Sequence, residues 1–169
     1  MRDLFADRCD FNEDISRWNV SQVINMTCMF EVAEGDHSLF NSNISSWNTC
    51  SVMEMNFMFC NASSFNQDLS SWDTRNVQEM VGTFLNARMF NKPLNHWDTS
   101  DCKNMSSMFM NASSFNQPIG SWETALVTNM SHMFCNATKF NQDLRHWNIS
   151  GVRAMNGMFS NAAAFKQGK

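Results

Sequence analysis

The sequence predicts an α/β repeat solenoid, with one short parallel strand and one short helix in each unit of about 25 residues. Three observations carry this expectation. The six tryptophans, Trp18, Trp47, Trp72, Trp97, Trp122 and Trp147, hold one place in a recurring frame, separated once by 29 residues and thereafter by 25. Two phenylalanine columns, running from Phe11 to Phe165 and from Phe5 to Phe159, keep the same register and take every Phe except Phe57. The segment between the recurring Thr and the second Phe carries apolar residues at helical spacing. Six copies result (11–39, 40–64, 65–89, 90–114, 115–139 and 140–164), with a partial copy at 1–10 and an end at 165–169.

The strand is predicted around the aliphatic position, as in 67–72 and 142–147, after the Phe-Asn pair. The helix is predicted after the Thr, because Val77, Met80 and Phe84 fall at i, i+3 and i+7, as do Val127, Met130 and Phe134. Thr74 suits the helix N-cap. Asn61, Asn86, Asn111, Asn136 and Asn161 suit the left-handed residue that ends a helix. Neither element is stable alone, so copies are expected to stack with parallel strands about 4.8 Å apart. The extra residues of the first gap lie in 31–39, whose Glu, Gly, Asp, His and Ser content reads as an exposed loop.

The net charge of −4 conceals a gradient: residues 1–40 carry −5, whereas residues 139–169 carry +4. Polar ends that solubilise a solenoid are one account. Weak head-to-tail self-association is the other. No basic stripe follows a repeated column, which argues against nucleic acid, and no long apolar run predicts a membrane span. The first residues are too charged for a secretion signal and begin inside a repeat, as expected of a segment of a longer array or a short protein without a dedicated cap. Cys9, Cys28, Cys50 and Cys102 sit in four different columns, and Cys60 and Cys135 share a column but lie three copies apart, so buried free thiols are expected. A local pair such as Cys28 with Cys50 remains open.

No residue set points to catalysis, a cofactor or a metal. His96 and His146 share a column two copies apart, about 10 Å at strand spacing and too far to share a zinc ion. The columnar methionines, set beside Val and Phe, read as packing rather than copper ligands. The Trp column is read as a structural spine, together with the Asn66, Asn91, Asn116 and Asn141 row, whose amides suit hydrogen bonds to neighbouring backbone. Sequons at Asn25, Asn43, Asn61, Asn111, Asn136 and Asn148 matter only on a eukaryotic secretory route. Specificity is expected at the variable positions of the strand side, among them the pairs Pro93/Asn95, Pro118/Gly120 and Asp143/Arg145. The candidate partner surface is Asp68, Ser70, Asp73, Asn95, His96, Asp98, Ser121, Glu123, Arg145 and His146, with plain solvated surface as the competing account.

The units 73–91 and 98–116, of the form D-T-x-x-V-x-x-M-x-x-M-F-x-N-A-x-x-F-N apart from Thr83 in the second Met place and Cys102 in the Val place, resemble the BspA-type leucine-rich-repeat surface proteins. That family is also catalogued as a mycoplasma repeat domain of unknown function. The resemblance spans nearly the whole chain. It implies a right-handed leucine-rich-repeat-like coil on cell-surface or secreted proteins, with adhesion or protein binding as its role. The chain departs from the commoner pattern in using Trp and Phe for Phe and Leu, and Asn-Ala for Gly-Cys.

The combined expectation is a non-enzymatic repeat scaffold that binds a protein or glycan through its strand face. A structural spacer or self-associating array segment is the alternative. Ice or mineral binding through the Thr column (Thr49, Thr74, Thr99 and Thr124) is a remote one, because Val20 and Ile149 interrupt that column.

Overall fold

The computed structural model describes residues 1–166, so the end of the charged C-terminal stretch, Lys169 included, lies outside the described residues. Within them the backbone is a succession of tight turns and contains no helix. Extended pairing is confined to single parallel bridges that join Asn25, Glu54, Glu79, Asn104, Asn129 and Ala154 from copy to copy. This overturns the α/β solenoid: the expected helix is a run of turns, and the expected strands at 67–72 and 142–147 are irregular chain with a turn at 70–71 and at 145–146. The bridges fall instead just after the Thr-x-x-Val turn, inside the segment predicted as helix.

The hydrogen bonds of residues 65–90 show how such a chain holds together. Trp72 N–H donates to the Leu69 carbonyl (3.1 Å), Val77 to Thr74 (2.9 Å), Leu85 to Gly82 (3.0 Å) and Ala87 to Phe84 (3.1 Å), each closing a four-residue turn. The intervening N–H groups leave the copy. Met80, Gly82, Phe84 and Asn86 donate to the carbonyls of Asn104, Ser106, Met108 and Met110 at 2.8–3.0 Å. The same ladder of alternate donors recurs at Met105–Asn111 and Met130–Asn136. An α-helix would have sent all of these N–H groups to its own carbonyls four residues back.

Two columns of left-handed backbone break any helix. Asn61, Asn86, Asn111, Asn136 and Asn161 have φ between 56° and 60°, the conformation their type favours, but each lies within a run of turns rather than at a helix end. Four residues earlier, Phe57, Gly82, Ser107, His132 and Gly157 adopt φ between 55° and 61°. Only three residues separate the two columns, as in Met58–Cys60 and Thr83–Leu85, too few for a helical turn to close between them. The periodicity had a different cause: Val77, Met80 and Phe84 are all fully buried, yet alternate turns and left-handed residues bring them to one side as well as a helix would. The Thr is no helix cap either. Thr74 Oγ1 donates to the Asp98 carbonyl one copy on (2.9 Å).

The core is a continuous aromatic and thioether column. Phe59 and Phe65 stack within a copy at 4.1 Å, and Phe59 stacks on Phe84 of the next at 5.5 Å. Trp72 and Trp97 lie parallel within 2° at 6.4 Å. Buried Met55, Met80, Met105 and Met130 fill the space beside the rings. Each ring removes roughly 150–250 Å² from water, about 4–6 kcal/mol as an upper estimate. The indole N–H is also used: Trp97 Nε1 donates to the Leu69 carbonyl at 3.0 Å, an oxygen that already accepts Trp72 N–H. Trp47, Trp72, Trp122 and Trp147 repeat this bond to Ile15, Ile44, Leu94 and Ile119. Trp18 is the departure, 39% exposed.

Two expected outcomes follow from this packing. Trp97→Ala should cost about 3–5 kcal/mol in denaturant unfolding, and Trp18→Ala markedly less, since its ring is already exposed. Equal losses would show that the column is not a shared seam. Ser107→Gly should stabilise by about 1 kcal/mol, because its left-handed φ of 56° costs an L-residue that much. Ser106→Gly, one residue earlier, should instead destabilise, by up to about 1 kcal/mol, through added chain entropy. Melting curves of the two variants check this pair.

Candidate binding site

The side of each copy that carries the Trp has no direct backbone ladder, and side chains bridge the copies there. Asn41 N–H donates to Asn12 Oδ1 (2.8 Å), and the bond recurs from Asn66 to Asn41, Asn91 to Asn66, Asn116 to Asn91 and Asn141 to Asn116 at 2.9–3.0 Å. Gln67, Gln117 and Gln142 reinforce it by donating to the same oxygens. Asn66 and Asn116 are half-buried, whereas Asn91 and Asn141 are exposed. This row therefore lies along an edge of the coil rather than inside it.

The expected partner residues lie on this side, but many of them hold turns. Asp68 Oδ1 accepts Ser70 N–H (2.9 Å), Asp98 Oδ1 accepts Ser100 N–H (3.0 Å), and Asp73 Oδ1 accepts Arg75 N–H (3.3 Å) and its guanidinium (2.9 Å). A short acceptor two residues before a donor is the Asx-turn geometry, which accounts for Asp or Asn in four of the six copies at the Asp68 position, where Pro93 and Pro118 stand in the other two, and in five of six at the Asp73 position, where Glu123 is the exception. The Ser100 hydroxyl and N–H hold the Asp98 carboxyl below the usual aspartate range, and the Ser70 N–H and hydroxyl do the same for Asp68. Arg145 is engaged as well: its guanidinium pairs with Asp143 at 2.6 Å. That pair lowers the Asp143 pKa to about 2, through the Arg145 side chain first and then its N–H.

Three of the expected residues converge. Asn95, Ser121 and His146 line a notch of about 270 Å³ together with Pro118, Gly120, Gln142 and Asp143. Ser121 Oγ donates to the Asn95 carbonyl at 3.2 Å, which ties adjacent copies across its floor. Gly120 shapes the notch, because a Cβ there would meet the Asp143 carbonyl oxygen at 2.4 Å. Pro118, Gly120 and Asp143 belong to the variable pairs of the sequence, but Gln142 sits in a column of repeated Gln and gives no signal of its own. Ser70, Asp68, Asp73, His96, Asp98 and Glu123 are outside the notch. His96 stands 3.4 Å from the Asn95 amide.

Other chemistry is muted. All six cysteines are free, and Cys9, Cys28 and Cys50 are half-buried rather than enclosed, a correction to the expected burial. Burial pushes the Cys28, Cys60 and Cys102 thiols up to about 12, with Glu31 adding to the first two, so they remain protonated at neutral pH. Among the described residues no group of three His, Cys, Asp or Glu side chains is arranged to hold a metal, and no helix is long and apolar enough to cross a membrane.

The model of one protein family, described as Mycoplasma protein of unknown function, DUF285, matches residues 1–95 and again 68–169. No curated protein and no solved structure matches the chain.

The lowered carboxyl pKa values have a signed consequence. A group that titrates below its unfolded value adds stability above the ordinary aspartate range and loses it as pH falls through that range. Asp68→Ala with Asp98→Ala should therefore lower the melting temperature near neutral pH and flatten its fall below about pH 4. Asp68→Asn with Asp98→Asn, which keeps the Oδ1 acceptors, should stay near the parent melting temperature at neutral pH. Identical melting profiles for the alanine variant and the parent would remove the turn-holding role.

Proposed function

Since the chain belongs to the Mycoplasma family of unknown function DUF285, its role has to be read from its own surface, and we propose a non-enzymatic scaffold that binds a protein or glycan at the Asn95–Ser121–His146 notch. The observation that carries this reading is the convergence of amide, hydroxyl and imidazole groups from three successive copies on one recess. The Asn95 and Gln142 amides, the Ser121 hydroxyl and the His146 imidazole line it together with Pro118. The one carboxylate, Asp143, is already paired with Arg145. Amide and hydroxyl groups beside a proline, with no unpaired carboxylate among them, suit vicinal sugar hydroxyls better than a charged peptide, which favours the glycan. The stack beneath supports tight recognition, because the turns are held by their own hydrogen bonds and little order remains to be imposed on binding.

The V-x-x-M-x-x-M-F core supports placing the chain beside the BspA-type surface proteins, and with that a cell-surface or secreted setting. The helix-and-strand coil that this resemblance implied forms no part of the reading.

The proposal predicts that the chain binds a member of a panel of immobilised glycans and proteins. Ser121→Trp, which fills the recess, and His146→Ala should each weaken that binding about tenfold or more. Both residues are exposed, and the one bond lost, from Ser121 Oγ to the Asn95 carbonyl, is itself solvent-exposed, so the melting temperature should change little. Undiminished binding by both variants, or no binding by the parent, would sink the notch as the site.

A further inference from the structure

We infer that the loop inserted at residues 31–39 builds a second site, one that takes a small zwitterion of the amino-acid class against the edge of an asparagine ladder. The later copies stack on a period of 25 without the four extra residues, so the insertion is not needed to continue the repeat. What the insertion forms is one wall of a cavity of about 210 Å³. Glu34, Asp36 and His37 face Asn61, Asn86 and Arg88 across it. It shares no lining residue with the notch.

The loop is held in place. Val32 N–H donates to the Cys60 carbonyl (3.2 Å) and the Val32 carbonyl accepts Asn61 Nδ2 (2.7 Å). A turn from Asp36 N–H to the Ala33 carbonyl (3.2 Å) and a bond from Leu39 N–H to the Cys9 carbonyl (2.8 Å) complete the anchorage. Gly35, at φ 95°, permits the bend.

The charges define the ligand. Elsewhere the close ion pairs join residues adjacent or nearly so in sequence: Arg2 with Asp3, Arg8 with Asp10, Arg75 with Asp73, Arg145 with Asp143. In this cavity the Glu34 and Asp36 carboxylates and the Arg88 guanidinium line one space without pairing. A cation alone would meet the guanidinium unfavourably, and an anion alone would meet two carboxylates. A molecule with an ammonium at one end and a carboxylate at the other satisfies both sides. The ladder adds directional donors: Asn86 Nδ2 donates one N–H to Asn61 Oδ1 (2.6 Å), and Asn61 uses one for Val32, which leaves the second N–H of each amide for a ligand carboxylate. A divalent cation fits less well, because these acids and His37 form no ligating group of three.

Titration of the full chain with each of the common free amino acids, followed by NMR at the Asn61 and Asn86 side-chain amides, tests this. At least one should shift both amides saturably, whereas ethanolamine and lactate, each carrying one of the two charges, should bind about tenfold or more weakly. Arg88→Gln should abolish the shift, as should Glu34→Gln combined with Asp36→Asn, with unchanged melting because these side chains are exposed. His146→Ala should leave it intact, which separates this site from the notch. The inference is overturned if no amino acid gives a saturable shift, if a single-charge control binds as well, or if binding survives either in Arg88→Gln or in the Glu34→Gln, Asp36→Asn double variant.

Discussion

A backbone of consecutive tight turns satisfies only half of its own hydrogen bonds, and the rest of this molecule follows from that shortage. Within Met80–Asn86 every second N–H points along the stack, and the receiving carbonyls at Asn104–Met110 belong to the next copy. An N–H buried without an acceptor costs about 1–3 kcal/mol. A copy without its neighbour therefore loses several such bonds together with the stacking of its rings. Stability is thereby distributed along the stack as interactions between neighbours, and no single copy is a folding unit. The register is equally constrained: a slip of one residue would present left-handed positions such as Asn86 to residues that cannot share their geometry.

The opposite side of each copy solves the same problem with side chains. Indole Nε1, threonine hydroxyl and asparagine Oδ1 span from one copy to the next where backbone does not. This division of labour decides which surface is free for recognition. Asp68 and Asp98, exposed and acidic, look available in sequence but hold their own turns. Ser121 and His146, which lie between those two columns in the frame, stand clear of the turn bonds made by those acids. At Gly120 the missing side chain admits the Asp143 backbone at the rim of the recess. Departures from the repeat, a glycine in one place and a four-residue insertion in another, thus mark both candidate sites.

Much of this was legible in the residues. The Phe, Met and Trp columns foretold which side chains meet, and Asn61, Asn86, Asn111, Asn136 and Asn161 announced left-handed backbone by their type. The second left-handed column was invisible, because Phe57, Gly82, Ser107, His132 and Gly157 share no chemistry. The helix was misread for a related reason. Spacing of i, i+3 and i+7 over Val77–Phe84 reports which residues face inward, and a run of turns can satisfy it as readily as a helix. The notch was half legible: Asn95, Ser121 and His146 stand out as variable, whereas Gln142 matches the Gln of other copies and is recruited only by position.

The sequence by itself determined the period, the register and the identity of the core, because burying a ring in every copy requires the same residue at the same place. Only the tertiary structure decided how the backbone runs between those rings. Local propensity in Asn-, Ser- and Phe-rich segments is too weak to choose a conformation, and the choice falls to the N–H groups that find carbonyls in the neighbouring copy. The same neighbours decide which polar side chains are consumed in bridging and which are left to meet a ligand.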